Sequence, residues 1–469
     1  MLLVFVHGWS VTDTDTYGNL PQALEAEAHK FGLEIDIHHI WLGRYISFHD
    51  EVSMADVVRA FDQALRDQIP GNKNRRKPFS CITHSTGGPV VREWVERFFG
   101  ASRLKTLPLQ HLVMLAPANH GSSLANLGKA RVGRIKSWFQ GVEPGQRILD
   151  WLSLGSNEQW TLCERYLAYE PADNNYFPFV LVGQTIDTSF YDFLNSYLTE
   201  VGSDGVVRVA GANLNYGMVN LREIPDEIVT VNHGRDKLEV GMLEAIGGVR
   251  RPQHVPLGVI PGASHSGKTK GIMRSVTKRN AKSKPVVDEI LKCLQVRDAT
   301  EYAQRADALR TLTTHAQIKH SKPRRYVMLI FNIRDDQGDP ITDYDLFLLA
   351  GSNYAPDELP RGFFVDRQKN KAHPNRLVYY LNYESMRTIK DELLGFRVIA
   401  RPRAGFSYYN AVEFRLGDIP LNAVLQPNET LYVDIEINRR VDEEVFRLDP
   451  AADGSQDFKD QEPSKKIVK

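Results

Sequence analysis

The first half of the chain alternates short apolar runs with segments whose apolar residues recur at helical spacing. The apolar runs cover residues 2–6, 35–40, 79–82, 111–116 and 177–182. Helical spacing is found over residues 24–31, 54–69 and 89–99. Strands that alternate with helices form a mostly parallel sheet that is covered on both faces. The first half is therefore predicted to have an α/β fold.

After Arg324 the apolar residues recur at every second position instead. Strand-like segments cover residues 326–333, 344–349, 377–381, 396–400 and 431–437. A cluster of turn residues at 335–340 separates the first two of them. Several short strands separated by turns are typical of an all-β sandwich.

The length of 469 residues fits two domains joined by a linker. We predict an α/β domain, a helical linker, a β-sandwich and a tail over residues 1–290, 291–323, 324–448 and 449–469. A helical insertion is expected within the first domain at residues 121–176, where no strand pattern occurs. The tail is polar and low in apolar residues, which predicts disorder.

The charges of the chain cancel, since 58 Lys and Arg residues stand against 58 Asp and Glu residues. No overall field steers such a chain toward nucleic acid, and we expect no nucleic-acid partner. Residues 268–284 are a local exception, with seven basic residues and no acid. Most such runs are solvated surface, but this one is also a candidate for peripheral contact with the headgroups of an anionic membrane.

Nothing in the sequence requires a metal. Three cysteines are too few and too scattered for a disulfide framework or a cysteine zinc cluster. Five aspartates could hold calcium, although turn formation accounts for most of them: Asp335, Asp336, Asp339, Asp343 and Asp345. We therefore predict that no metal and no cofactor is needed.

Residues 1–6 are apolar, as the core of a signal peptide would be. They lack a preceding basic segment and a small-residue cleavage site, so we interpret them as a buried strand. No run of about eighteen apolar residues is present, which argues against a transmembrane helix. We expect a cytoplasmic location, or export by a route that needs no N-terminal signal peptide.

A serine lies within a predicted strand-turn-helix segment. The apolar run at 79–82 leads into THSTGG at 83–88, and a helical pattern follows. In such a turn the serine is held at the tip of the strand with its hydroxyl exposed, and small neighbours let strand and helix pack closely. The usual pattern is Gly-x-Ser-x-Gly, and Thr83 replaces the first glycine, which reduces the room at the turn. The segment predicts a nucleophile elbow centred on Ser85.

Two more loops are expected at the same edge of the sheet. The strand at 2–6 runs into His7-Gly8-Trp9, and the loop at 117–122 follows the strand at 111–116. With these pieces in order, residues 1–290 resemble the lipase branch of the α/β-hydrolase family, which includes bacterial lipases and lipases similar to the deacylases of glycosylphosphatidylinositol anchors. The resemblance implies that the backbone amides of Trp9 and Thr86 form the oxyanion hole.

The family places its nucleophile, acid and histidine in that order along the chain. Asp204, in GSDGVV at 202–207, and His265, in PGASHS at 261–266, match the acid and histidine loops. The resemblance therefore implies Ser85 as nucleophile, His265 as general base and then acid, and Asp204 as the group that orients the imidazole.

Each partner of the serine has rivals in the sequence. Asp187 and Asp192 also follow a predicted strand, and His233 and His254 are alternatives for the base. Three further histidines flank the predicted site and are interpreted as structural: His7, His84 and His120.

Residues 262–269 also fit G-x-x-x-x-G-K-T, the phosphate-binding loop of nucleotide hydrolases. Such a fold has further βαβ units after this loop and an acid on a neighbouring strand for magnesium. Here a basic segment and an all-β region follow instead. Because the same residues place His265 where a hydrolase needs it, we interpret the match as a coincidence.

These observations together predict a serine carboxylic-ester hydrolase, a lipase or phospholipase that acts on lipid or another acyl ester. The alternatives are a nucleotide-binding protein and an inactive hydrolase scaffold that serves as a binding module. Four aromatic residues of the insertion either line a substrate entrance or pack against the sheet: Trp138, Phe139, Trp151 and Trp160. Secreted antibacterial lipases offer one family-level context.

Overall fold

The computed structural model describes residues 1–7, 17–42, 45–46, 49–69, 77–126, 145–186, 201–233, 236–318, 325–402, 406–417 and 419–441. The strands of these residues are β1 (Leu2–His7), β2 (Asp36–Trp41), β3 (Phe79–His84), β4 (Leu109–Leu115), β5 (Phe177–Gly183), β6 (Tyr216–His233), β7 (Asp236–Arg250), β8 (Leu257–Ile260), β9 (Tyr326–Asp335), β10 (Asp343–Ala350), β11 (Phe364–Lys369), β12 (Arg376–Asn382), β13 (Leu394–Arg401), β14 (Ser407–Tyr408), β15 (Ala411–Arg415), β16 (Thr430–Ile437) and β17 (Arg440–Val441).

The α-helices of the same residues are α1 (Leu20–Ala28), α2 (Met54–Gln68), α3 (Gly87–Phe98), α4 (Ser123–Asn126), α5 (Gln146–Leu152), α6 (Asn157–Tyr166), α7 (Val209–Ala212), α8 (Pro285–Leu294), α9 (Ala299–Ile318), α10 (Tyr383–Met386) and α11 (Leu421–Val424). Short 3-10 turns occur at His29–Phe31, Ala101–Thr106, Ala172–Asn174, Ala281–Ser283, Pro356–Glu358 and Lys390–Glu392. None of the helices described is both long and apolar enough to cross a bilayer.

The first sheet has six strands in the order β2-β1-β3-β4-β5-β8, and every neighbouring pair is parallel. Its central strands are mainly apolar because both faces are covered, and all residues of β3 and β5 are buried. The predicted α/β fold is confirmed. Since the strands are parallel, the loops that follow β3, β4, β5 and β8 meet at one edge of the sheet.

The second sheet has nine strands in the order β10-β13-β15-β7-β6-β16-β9-β12-β11 and is mixed. The sheet is so strongly curved that side chains of strands that are not adjacent in this order contact each other. The rings of Phe331 on β9 and Phe396 on β13 are 5.2 Å apart, and the Tyr379 hydroxyl on β12 donates to the Leu346 carbonyl on β10 at 2.8 Å. The β-rich region predicted after Arg324 is confirmed, and a single curled sheet forms the two-layered core that was expected of a sandwich.

Two strands of this second sheet come from an earlier part of the chain. The hairpin of β6 and β7 lies within residues 216–250, a region predicted to belong to the α/β domain. Strand β6 pairs in parallel with β16, with Tyr216 opposite Thr430, and β7 pairs in parallel with β15. Hydrogen bonds therefore connect the segments on either side of the expected boundary at residue 290, and the domain division stays a prediction.

The region predicted as a helical linker contains α9. This helix covers the edge strand of the first sheet, because the Val259 amide on β8 donates to the Thr313 hydroxyl at 3.0 Å. Leu309 of the same helix is fully buried. The predicted tail at 449–469 lies outside the described residues.

The two sheets meet at a buried polar junction around His120, in the loop after β4. Its Nδ1 accepts a hydrogen bond from the Tyr432 hydroxyl of β16 at 2.7 Å, and its Nε2 donates to the Asn213 carbonyl at 2.6 Å. Trp160 packs edge-on against the Tyr432 ring, with centroids 4.9 Å apart. Trp151 and Trp160 are both buried, so packing accounts for these two aromatics of the insertion, whereas Trp138 and Phe139 lie outside the described residues.

Burial of His120 predicts a pH-dependent stability. Burial lowers the pKa of its imidazole to about 3, whereas an unfolded chain binds this proton near pH 6.5. Since the unfolded state then holds more protons, the free energy of unfolding falls as the pH drops from about 6.5 toward about 3. We expect His120→Asn to show a smaller fall than the wild type in denaturant titrations at about pH 7 and about pH 4.5. Equal falls in the two proteins would contradict this assignment, whatever the absolute stability of the variant.

Candidate active site

Ser85 lies at the turn between β3 and α3, with φ of 53°. Few residues with a side chain adopt this conformation, and it is held here by the Ser85 amide, which donates to the Leu115 carbonyl of β4 at 3.0 Å. The residue follows the last position of β3 and precedes Thr86, which caps α3. The strand-turn-helix geometry predicted for this segment is confirmed.

Thr83 fits at this turn because of Gly87. A Cβ atom added to Gly87 would lie 3.3 Å from the Cβ of Thr83 and 3.3 Å from the Val6 carbonyl oxygen. A Cβ at Gly88 would lie 2.9 Å from Pro117. The Thr83 side chain therefore fits because Gly87 has no side chain. The strand and the helix of the elbow stay in close contact although the usual first glycine is missing.

His265 lies in the loop that follows β8 at the same edge. Its Nε2 is 3.1 Å from the Ser85 Oγ, and its Nδ1 is 3.0 Å from an Asp204 Oδ2. Because the carboxylate can only accept, Nδ1 carries the proton and Nε2 is free to accept from the serine hydroxyl. The three side chains predicted from the sequence are thus brought into one hydrogen-bonded chain, and each is at least nine-tenths buried.

The Asp204 carboxylate is held by its own loop. Its Oδ1 accepts from the Val206 and Val207 amides at 3.0 and 2.8 Å, which leaves Oδ2 for the imidazole. The Asp204 carbonyl also accepts from the His265 amide at 3.0 Å. The backbone and side chain of Asp204 therefore both fix the position of the histidine.

The second sheet contacts the loop that carries Asp204, which we call the acid loop (residues 201–213). The Tyr380 hydroxyl of β12 lies 3.3 Å from both the Val201 and Gly202 carbonyl oxygens. Arg208 is buried, lies 4.2 Å from the centre of the Tyr380 ring and forms an ion pair with Asp366 of β11. These residues could not be identified from the sequence, because no local pattern links position 208 to a strand that begins at 364.

His84 borders the site and contacts the histidine of the site. Its Nε2 donates to the His265 carbonyl at 3.1 Å, and the two rings are 4.7 Å apart. Burial, together with the neighbouring His265, holds the pKa of His84 well below its ordinary value. A neutral His84 adds no second positive charge beside an imidazolium at His265, which agrees with the structural role predicted for it.

The amide of Thr86 is placed to bind a developing anion. It lies at the N-terminus of the twelve-residue helix α3, where backbone N–H groups and the helix dipole favour negative charge. It makes no hydrogen bond to any of the residues that the structure describes. Trp9, the other predicted donor, lies outside those residues.

The rival residues do not reach this site where they are described. His254 is exposed and interacts electrostatically with Arg310 and Asp307. The rival acids Asp187 and Asp192 lie outside the described residues, as do the side chains of His7 and His233.

The segment at 262–269 follows β8 but does not lead into a helix, as a phosphate-binding loop would. Turns occupy residues 266–280, and the next α-helix, α8, begins only at Pro285. The Ser264 amide donates to the Lys270 carbonyl and the Ile272 amide donates to the Ser264 carbonyl, at 2.9 and 2.8 Å. These bonds shape a loop that presents His265 rather than a cradle of free amides.

Most of the clustered aspartates are bonded by other groups of the protein. The Asp335 carboxylate accepts from the Gln337 and Asp339 amides at 3.0 and 2.8 Å, as in a turn. Asp343 and Asp345 both pair with Arg401. Within the described part of the chain, no group of three or more His, Cys, Asp or Glu side chains could hold a metal ion.

Comparison with known proteins identifies the class. No protein-family model matches the chain, and no curated protein sequence matches it. Among solved structures, phospholipase PlaB from Legionella pneumophila is 44% identical, with a TM-score of 0.83 over 96% of this chain and 98% of that one. A second structure of PlaB, in complex with thio-NAD, is 42% identical over the same shares of both chains, also with a TM-score of 0.83.

The fold and these neighbours define an α/β-hydrolase of the lipase and phospholipase branch, an ester hydrolase. At this identity, and over nearly the whole length of both chains, this chain belongs to the family of phospholipase PlaB. The family resemblance seen in the sequence is thereby confirmed.

Contact between the acid loop and the second sheet predicts a remote effect on turnover. Asp366→Asn removes the carboxylate that faces the buried Arg208, so we expect the loop to shift and kcat to fall about 10- to 100-fold with little change in KM. Esterase kinetics on a soluble short-chain ester measure both constants.

The matched control is Asp345→Asn, which breaks an exposed pair with Arg401 in the same sheet and should leave kcat unchanged. Arg208→Met combined with Asp366→Asn removes both charges and should regain part of the loss. Equal kcat values for Asp366→Asn and Asp345→Asn would refute a role for the acid-loop contact.

Proposed function

We propose that the protein is a serine phospholipase that cleaves an acyl ester of a phospholipid through Ser85, His265 and Asp204. The observation that carries the proposal is the hydrogen-bonded chain from Asp204 through His265 to Ser85, with steps of 3.0 and 3.1 Å. The phospholipase identity of PlaB, a relative at 44% identity, supports the substrate class.

In the proposed reaction the Ser85 oxygen attacks the acyl carbonyl while its proton passes to Nε2 of His265. The Thr86 amide, with that of Trp9, stabilises the oxyanion of the tetrahedral intermediate. Collapse of the intermediate breaks the ester bond, and His265 returns the proton to the leaving alcohol oxygen. Water then attacks the acyl-enzyme, again assisted by His265, and releases the fatty acid. No step calls for a metal or a cofactor.

Three variants test the roles of these residues. We expect Ser85→Ala and His265→Ala to lower kcat by at least about a thousandfold. For Asp204→Asn we expect a loss of about three to four orders of magnitude, because the imidazole loses the partner that fixes its tautomer. The measurement is fatty-acid release from phospholipid, together with fluorophosphonate labelling of Ser85.

Lys268→Ala serves as the control for the nucleotide-binding alternative. If residues 262–269 bind no nucleotide, this variant should hydrolyse a soluble ester at the wild-type rate. Retained turnover in both Ser85→Ala and His265→Ala would disprove the triad. A wild-type protein that neither turns over ester nor reacts with the fluorophosphonate would favour the inactive scaffold instead.

We further propose that the basic run at 268–284 contacts an anionic membrane. It begins three residues after His265, and Lys268, Lys270 and Lys278 are exposed. None of these three lysines forms an ion pair with a carboxylate of the described residues. An unneutralised basic surface beside the site would hold the enzyme where its substrate lies.

Charge reversal tests this contact. Each basic residue near an anionic surface contributes about 1 kcal/mol, so Lys268→Glu with Lys270→Glu should weaken binding to phosphatidylglycerol vesicles at least about 30-fold. Vesicle sedimentation at low and high salt measures the effect, which salt should reduce. The control is Arg103→Glu with Lys105→Glu, two exposed residues that precede β4 and so lie at the opposite edge of the first sheet. Equal weakening by both pairs would contradict a local contact.

A further inference from the structure

A cavity of about 300 Å³ lies inside the curl of the second sheet. Every described residue that lines it is Gly, Ala, Val, Leu, Ile or Phe. Its deep wall includes Phe331, Leu348 and Val433, which are buried. The cavity therefore offers apolar contact and, among the side chains that line it, no hydrogen-bonding partner.

The cavity opens to solvent at one side. Ala245, Gly248 and Ala423 line this opening and are exposed, and Ile419 beside them is 49% exposed. Protein interiors are normally packed to crystal density, and an apolar cavity of half this size stays dry and takes up small hydrocarbons. A space of about 300 Å³ falls at the lower end of the range for pockets that bind small molecules.

The cavity is separate from the candidate active site. Successive side chains of a strand point to opposite faces, and on β16 the Tyr432 side chain reaches His120 and the first sheet. Leu431 and Val433, its two neighbours, line the cavity. The second sheet therefore stands between this cavity and the loop that follows β4.

Chemistry at one side of the cavity fits a carboxylate. Arg251 donates from Nη2 to the carbonyl of Val424, a residue of the cavity wall, at 3.0 Å, and its side chain is 32% exposed. The same guanidinium pairs with Glu429 through Nη1 at 2.5 Å. A fatty-acid carboxylate at this side of the cavity would share the Arg251 guanidinium with Glu429.

We propose that this cavity binds the hydrocarbon chain of a free fatty acid. The purely apolar wall excludes the headgroup of a lipid, the volume suits a chain, and Arg251, which bonds a residue of the wall, can share its guanidinium with the carboxylate of a fatty acid. The choice of a fatty acid over another hydrocarbon rests on the proposed function, because the proposed hydrolysis releases fatty acids. The cavity is a second, non-catalytic site for the reaction product.

Binding of dodecanoate to the Ser85→Ala protein, measured by calorimetry, tests the proposal. We expect equimolar binding that Ala245→Trp, which fills the opening, weakens at least about tenfold. The matched control is Glu244→Trp, since Glu244 is exposed, neighbours Ala245 on β7 and points to the other face of the strand. It should bind dodecanoate as Ser85→Ala does. Ala423→Trp on the opposite rim gives a second test if the first variant folds poorly.

The possible outcomes separate this proposal from the proposed function. Failure of Ser85→Ala to bind dodecanoate, or unchanged affinity in both Ala245→Trp and Ala423→Trp, would overturn the cavity assignment. A third outcome is that dodecanoate blocks fluorophosphonate labelling of the wild type and that the tryptophan variants bind dodecanoate normally. This outcome would place the fatty acid in the active site alone. If the wild type resists fluorophosphonate labelling but Ala245→Trp still weakens dodecanoate binding, the proposed function is wrong and the cavity assignment is supported.

Discussion

The acid loop is held from two sides, and the arrangement of the candidate site depends on both. On one side, Asp204 accepts backbone amides of its own loop and hydrogen-bonds His265. On the other, Arg208 and Gly202 contact β11 and β12 of the second sheet. The Thr430 hydroxyl of β16 adds a bond to the Ala210 carbonyl at 3.0 Å. Removing the carboxylate that faces a buried arginine leaves an uncompensated charge and destabilises the folded state. The contact between Arg208 and Asp366 therefore fixes one specific arrangement of the loop and the sheet. The second sheet is therefore part of the site's foundation.

The sequence was most informative where structure is local. The loop of Ser85 follows a short apolar run of a parallel sheet, so its place at one edge of the sheet could be predicted from the sequence. Asp204 and His265 were predicted through the family resemblance.

The hairpin of β6 and β7 was missed, and its register explains why. Pairing shifts between Glu223 and Ile228, and the intervening residues include Pro225 and Asp226, the latter with φ of 59°. Proline and aspartate are typical turn residues, so from the sequence alone this bulge resembles a turn between two short segments. Which distant strands such a hairpin joins is decided by packing across the chain, and neither the Tyr216–Thr430 pairing nor the Arg208–Asp366 contact leaves a local pattern.

The parallel pairing of β6 with β16 has a consequence for how the protein is made. Tyr216 cannot find Thr430 until the ribosome has passed the last strand of the second sheet, and the acid loop ends just before Tyr216. Until then the loop lacks its bond from Thr430 of β16, while the elbow of Ser85 already has its neighbours β1 and β4. In a nascent chain the turn of Ser85 can therefore form early, whereas the loop of Asp204 gains its full set of contacts late. For the hydrolase proposed above, this order links full support of the catalytic acid to the synthesis of β16.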